Sequence, residues 1–300
     1  MCVGFVRLRI LRHRNLLLFF FLAVLWGSNW SFMKTGVSLV NPVALVFHRF
    51  LISAIVLAPV FLLLRKRIPK DTDTLGKLVF LGLLNSFNVF IMHAGLVLES
   101  SGIGAVLTYT QPLFVFCLAI LFLKEKVTAM KLSGVLLGFV GVVVLFSGRI
   151  SSLTFSFISL MMIVGAVIWA VAIVFYKKFL NHIDPFVANF FQLFVGVLLL
   201  SFLSVVTNNF TFSNNPAYLW IILYVAVGGN VAGFSLWLFL LRQEEATSLS
   251  GSSFIIPVIA LFFGWQILGE SISLQSMIGS ALILAGIYLV NLRSRQKSQN

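Results

Sequence analysis

Residues 112–141 read PLFVFCLAILFLKEKVTAMKLSGVLLGFVG, and residues 257–286 read PVIALFFGWQILGESISLQSMIGSALILAG. Placed one above the other, they align Pro112 with Pro257, Glu125 with Glu270, Gly134 with Gly279 and Gly141 with Gly286, a constant offset of 145 residues. The same offset pairs Asn85 with Asn230 and Glu99 with Glu244, while an offset of 143 pairs Trp26 with Trp169, Lys34 with Lys177 and Pro42 with Pro185. The chain therefore reads as two copies of one unit, 1–150 and 151–300, each with five apolar runs. Five crossings end on the side opposite their start, so the second copy lies inverted relative to the first. Inverted repeats of this kind are the build of alternating-access transporters.

Composition forces the chain into lipid. At 60% hydrophobic, 10% charged and a mean hydropathy of +1.08, it has too little polar surface to cover a soluble globule. Apolar stretches fall near 16–34, 42–64, 78–98, 102–123, 129–147, 157–176, 185–206, 217–241, 247–268 and 274–292. None shows the period-2 alternation of a barrel strand, so the expected fold is all-α and polytopic, with ten transmembrane helices. The segment from Arg7 to Lys34 resembles a secretory leader but is too long and lacks a small-residue cleavage site; it is expected to stay as the first helix.

The net charge of +13 reports topology rather than a nucleic-acid partner. With the N-terminus inside, 18 of the 21 cations fall in inner segments, leaving Lys34, Arg49 and Arg149 elsewhere. Both termini are therefore expected in the cytoplasm, in the plasma (inner) membrane. Cys2 and Cys117 are too far apart in this topology for a disulfide, and no redox, metal or other cofactor role follows from them.

Trp26-Gly27-Ser28-Asn29, Pro42 with His48-Arg49-Phe50, Thr108-Tyr109-Thr110-Gln111-Pro112, Lys124-Glu125-Lys126 and the Gly134, Gly138, Gly141 helix occur in an order that resembles the drug/metabolite transporter superfamily. The resemblance is to its ten-helix branch with two EamA repeats and covers nearly the whole chain. It implies export or exchange of small metabolites, amino acids among them, through a central cavity lined mainly by helices 1, 3, 4, 6, 8 and 9. The implied partners are a small-molecule substrate and the bilayer, with the chain acting as a monomer or homodimer.

Polar residues inside the spans concentrate in those helices. Asn85, Asn88 and Met92 share one face of helix 3; Asn230, Gly233 and Trp237 do the same on helix 8. Trp26, Asn29, Trp30 and Met33 form a stripe on helix 1, matched on helix 6 by Trp169, Ile173 and Tyr176. An unpaired amide in lipid is costly, so these faces turn inward, either to bind a substrate or to join helices. Pro112 and Pro257 each remove a helical hydrogen bond, exposing the carbonyls of Thr108 and Ser253 as binding groups or making hinges, unless a neighbouring hydroxyl takes them up. Gln111 lies three residues from Thr108, on the same face of an unbroken helix.

Arg49 lies about 10 Å into helix 2 at 1.5 Å per residue. A charge there costs about 2.5 to 3.5 kcal/mol unless it finds a partner or water. It either binds a substrate carboxylate, clamps helix-end carbonyls or snorkels outward. The small-residue face of Ser133, Gly134, Gly138 and Gly141, repeated by Gly279, Ser280 and Gly286, permits close helix packing within the chain or across a dimer.

An intramembrane enzyme is the rival class, with Ser250, Ser252 or Ser253 as nucleophile, and a channel the next. The sequence shows neither a carboxylate pair, nor a zinc-type histidine cluster, nor a pore filter. All eight acids, Asp71, Asp73, Glu99, Glu125, Asp184, Glu244, Glu245 and Glu270, sit at span ends or in loops. Glu125 and Glu270 thus read as helix-end or gate contacts, and carboxylate-dependent proton coupling is not expected.

Overall fold

The computed structural model describes residues 2–63, 65, 68–98, 107–126, 128–147, 157–269 and 272–292. Among them the chain is helical: α1 (Cys2–Leu39), α2 (Pro42–Leu63), α3 (Thr72–Leu98), α4 (Gln111–Leu118, continued by a wide π turn Ala119–Leu123), α5 (Ala129–Phe146), α6 (Phe157–Phe175, then a π turn Tyr176–Leu180) and α7 (Pro185–Val206). Next come α8, in three parts (Pro216–Tyr224, π-helical Val225–Phe234, Ser235–Gln243), α9, in two (Ala246–Ser252 and Ile255–Leu268), and α10 (Leu274–Leu292). Eight of these are long and apolar enough to cross a membrane; Gln111–Leu123 and Ala129–Leu145 are shorter apolar helices. Leu63, Leu121, Phe157 and Trp220 project from the outer surface, each at least 70% exposed, as suits helices with lipid for solvent.

Side-chain caps fix the helix starts. The Asn41 and Asp184 side chains each accept from the N–H two residues on, at 2.9 Å, just ahead of Pro42 and Pro185 in the first turn of the helix. Asn215 does the same for α8, accepting from Ala217 at 2.9 Å, and Asp71 caps α3 by accepting from the N–H of Thr74, three residues on, at 2.8 Å. The Thr74 hydroxyl and N–H also hold the Asp71 carboxyl below its ordinary pKa. The exits match as well: Lys124 (φ 54°) ends α4 and Gly269 (φ 66°) ends α9, both left-handed and 145 residues apart.

The helix neighbours respect the repeat. α1 packs on α9 as α6 packs on α4; α3 packs on α7 as α8 packs on α2; α3 packs on α6 as α8 packs on α1. α2 with α7 and α5 with α10 map onto themselves under the same exchange. At the α5–α10 seam a Cβ on Gly134 would stand 2.7 Å from both the Gly286 carbonyl oxygen and the Val290 nitrogen, and one on Gly141 2.7 Å from the Ile283 nitrogen. Ser276 ties the seam further, donating to the Leu145 carbonyl at 3.2 Å. The smooth face is thus used within the chain, while Ser133 points out of the seam.

The proline expectation needs correcting in α9. The helix breaks at 253–254, and the Ser253 carbonyl accepts from the Ile256 N–H at 2.9 Å, a tighter turn that satisfies the oxygen Pro257 would otherwise strand. In α4 the regular helix begins at Gln111, after a turn at 109–110, so Pro112 lies in the first turn of a new segment instead of kinking an unbroken one.

Because the seam is backbone against backbone, Gly134→Ala should lower the melting temperature of the detergent-purified protein, by about 1 to 3 kcal/mol of overpacking. Gly76→Ala, with open space around it, should leave stability unchanged or raise it. Equal effects of the two would contradict this packing.

Candidate functional site

A π-helix closes its hydrogen bonds one residue later than an α-helix, and each carbonyl keeps a second lone pair for a partner outside the helix. In the π stretch of α8, VAVGGNVAGF from Val225 to Phe234, carbonyls accept from three neighbouring side chains and the Asn230 side chain accepts from a fourth. Trp26 Nε1 on α1 donates to the Gly229 carbonyl at 3.0 Å. The Ser53 hydroxyl on α2 reaches the Ala226 carbonyl at 3.1 Å. Asn189 Nδ2 on α7 donates to the carbonyls of Asn230 (3.1 Å) and Val231 (3.3 Å) and to Ser235 Oγ (2.9 Å). Arg49 on α2 donates from Nε to Asn230 Oδ1 at 2.7 Å.

Gly229 makes room for this assembly. A Cβ there would stand 2.9 Å from Arg49 Nη2 and 3.2 Å from both amide atoms of Asn29, so the guanidinium and the Asn29 amide meet over bare backbone. Arg49 is 4% exposed and does not snorkel; Nη1 contacts Met33 Sδ at 3.8 Å.

The cavity beside this assembly measures about 110 Å³. Its wall takes Trp26, Asn29, Trp30 and Met33 from α1, Arg49 from α2, Asn88, Val89 and Met92 from α3, and Thr108 and Tyr109 from the start of α4. Trp169 from α6 and Phe234 from α8 complete it. Trp26 and Trp169, equivalent residues of the two copies, meet edge-on with ring centroids 5.9 Å apart. Trp237 packs against both, at 5.5 and 6.2 Å, from behind the wall.

The sequence-derived site residues therefore separate. Trp26, Asn29, Arg49, Asn88, Thr108 and Trp169 come together on the cavity; Asn230 holds Arg49 from the side. Asn85, Gln111, Tyr176, Trp237 and Ser253 are buried outside its wall. The Tyr176 hydroxyl donates to the Ile183 carbonyl at 3.3 Å, and the Ser253 hydroxyl to the Ser250 carbonyl at 2.6 Å. α2 contributes to the wall through Arg49, whereas α9, implied as a lining helix, does not. Glu270 lies outside the described residues, as do Glu99 and the His93 side chain.

Glu125 sits at a helix end, at the lysine-rich ends of the helices. Its carboxylate accepts from the N–H groups of Ala246 (2.7 Å) and Thr247 (3.1 Å) and from the Thr247 hydroxyl (2.6 Å), serving the first turn of α9. Glu245 pairs with Lys131, Asn15 donates to Glu244 at 2.8 Å, and Lys177 donates to the carbonyls of Leu241 (2.6 Å) and Glu244 (2.9 Å). The α8–α9 junction is thus gripped by α1, by α5 and by the ends of α4 and α6. Ser252 and Ser253 donate to carbonyls of their own helix, at Ser248 and Ser250.

Asn189, Ser53, Val89 and Phe234 were not among the residues singled out from sequence. The Gly228-Gly229 pair within an apolar run was the available signal for the first two, since it marks backbone open to close approach by side chains.

Comparison with known proteins agrees with this architecture. The model of the EamA-like transporter family matches twice, at residues 13–147 and 156–292. The chain belongs to this family. It is similar to the uncharacterized transporter YoaV of Bacillus subtilis (29% identity, 89% of this chain and 92% of that one). It is also similar to a probable amino-acid metabolite efflux pump of Salmonella typhimurium (25% identity, 89% and 91%). A solved crystal structure shares the fold, with a TM-score of 0.81 over 95% of this chain and 98% of the other at 19% identity. This EamA-type chain is thus an integral, multi-pass membrane protein of the drug/metabolite transporter superfamily.

Removing the α7 clamp should loosen the π stretch. Asn189→Ala is expected to cost about 1 to 2 kcal/mol at about 0.6 kcal/mol per intramembrane hydrogen bond, read as a lower melting temperature in detergent. Asn214→Ala, at an exposed loop position, should not shift it; a silent Asn189→Ala would remove the clamp from the account.

Proposed function

We propose that this EamA-type protein exports or exchanges a small neutral or zwitterionic, amino-acid-like metabolite across the plasma membrane by alternating access, with both termini in the cytoplasm. The observation that carries the proposal is the shared wall: α1 to α4 come from one repeat and α6 and α8 from the other, so rocking residues 1–150 against 151–300 opens the same cavity first to one side and then to the other. The wall chemistry sets the cargo class. It offers amides, a hydroxyl and indole faces with one guanidinium, which suits a small molecule with an apolar body and a polar head. The Salmonella typhimurium relative, a probable amino-acid metabolite efflux pump, points the same way.

The grip on the α8–α9 junction lies on the face that the proposed topology puts in the cytoplasm, where it would hold that side together. Opening inward requires Glu125 to release the first turn of α9 and Lys177 to release the end of α8. Among the described residues no carboxylate lines the cavity, and the proposed transport is downhill exchange or export without a carboxylate proton carrier.

Purified protein in liposomes loaded with labelled standard amino acids and small metabolites should release neutral or zwitterionic compounds at rates above empty vesicles. Release of di-anionic or polycationic compounds alone, or of nothing, would contradict the proposal.

A further inference from the structure

The cavity wall carries two kinds of polar group that a single cargo can satisfy together. Arg49 is a donor-only cation, buried and oriented: Nε is fixed on Asn230 Oδ1 at 2.7 Å, and Gly229 lets the guanidinium lie against bare backbone. Such a planar fork matches the two oxygens of a carboxylate. Beside it, Asn29 shares the space over Gly229, and Asn88 faces the same cavity from α3. The Oδ1 atoms of both are buried without a hydrogen-bond donor, and the two residues are 9% and 4% exposed. Acceptors left dry are costly, and a cargo N–H would relieve them.

We propose that Arg49, held in place by Asn230, is the specificity-determining contact for a carboxylate on the cargo, and that Asn29 and Asn88 accept from an amine of the same molecule. The assignment rests on the transport reading above and narrows it. The cavity selects for both polar groups together, while Trp26, Trp169 and Phe234 receive the apolar remainder. A carboxylate on Arg49 neutralises the buried guanidinium, and the cargo's ammonium donates to the amide oxygens of Asn29 and Asn88. An apolar amine without the carboxylate would place its cation beside Arg49, and an acid without the amine would leave both amide oxygens dry. Both are disfavoured relative to the amino acid.

The test compares, in the same liposomes, uptake of labelled L-leucine and L-phenylalanine, their decarboxylated amines and their deaminated acids. Wild-type protein should favour the amino acids over the amines by about tenfold or more, the worth of one charge-assisted pair. Arg49→Gln should erase that preference while Asn88→Leu lowers the preference over the deaminated acids. Arg49→Lys, which keeps the charge but loses the planar fork, should fall between. Because a purely structural role for Arg49 would slow every compound alike, the ratio between compounds, rather than the rate, is the readout. Amines moving as fast as amino acids in wild type, or an unchanged ratio in Arg49→Gln and Arg49→Lys, would overturn the assignment and leave the transport reading intact. Failure of the wild type to move any of these compounds, or the labelled metabolites above, would overturn both.

Discussion

The site depends on side chains of three helices meeting the carbonyls of one buried π-helical stretch of α8. Trp26, Ser53 and Asn189 reach those carbonyls from α1, α2 and α7. The first two contacts join α1 and α2 of the first copy to the second copy's α8, and the third ties α8 to α7 of its own copy. Asn230, on the same stretch, holds Arg49 of α2. The cavity is what remains beside that junction.

The repeat is not a perfect symmetry, and its failure is informative. The stretch of α3 equivalent to the π segment is regular α-helix, FLGLLNSFNV at 80–89, with Leu83 and Leu84 where α8 has Gly228 and Gly229. Two leucines cannot admit an indole and a guanidinium against the backbone, so α3 keeps its ladder and Asn85 stays buried outside the cavity. Asn230 becomes the holder of Arg49, and one end of the cavity differs from the other. A carrier with an asymmetric cavity presents its cargo in one orientation, which is what recognition of a polar head and an apolar body requires.

Much of the fold was legible because membrane insertion imposes long apolar runs and strict helix ends. The expected spans 42–64, 185–206 and 274–292 agree with α2, α7 and α10 to within a residue, and the Asn-Pro and Asp-Pro starts explain the first two. The site was legible only in part, for geometric reasons. Thr108 and Gln111 share a face only if α4 is unbroken, and the turn at 109–110 swings Gln111 off the cavity. Trp237 sits seven residues after Asn230, but the π turns between them shift its register behind Trp26. Asn189 escaped notice because α7 was not among the helices implied to line a cavity; its role is to hold the wall, not to form it. Glu125, read as a helix-end contact, is found at the first turn of α9.

The central claim is that one cavity faces the two sides of the membrane in turn. It is tested most directly by a single cysteine at Asn88, in a protein whose Cys2 and Cys117 are replaced by serine, probed with a membrane-impermeant thiol reagent in oriented vesicles. The account predicts labelling from either side when the reagent is added to one face at a time. Labelling from one side only would contradict it.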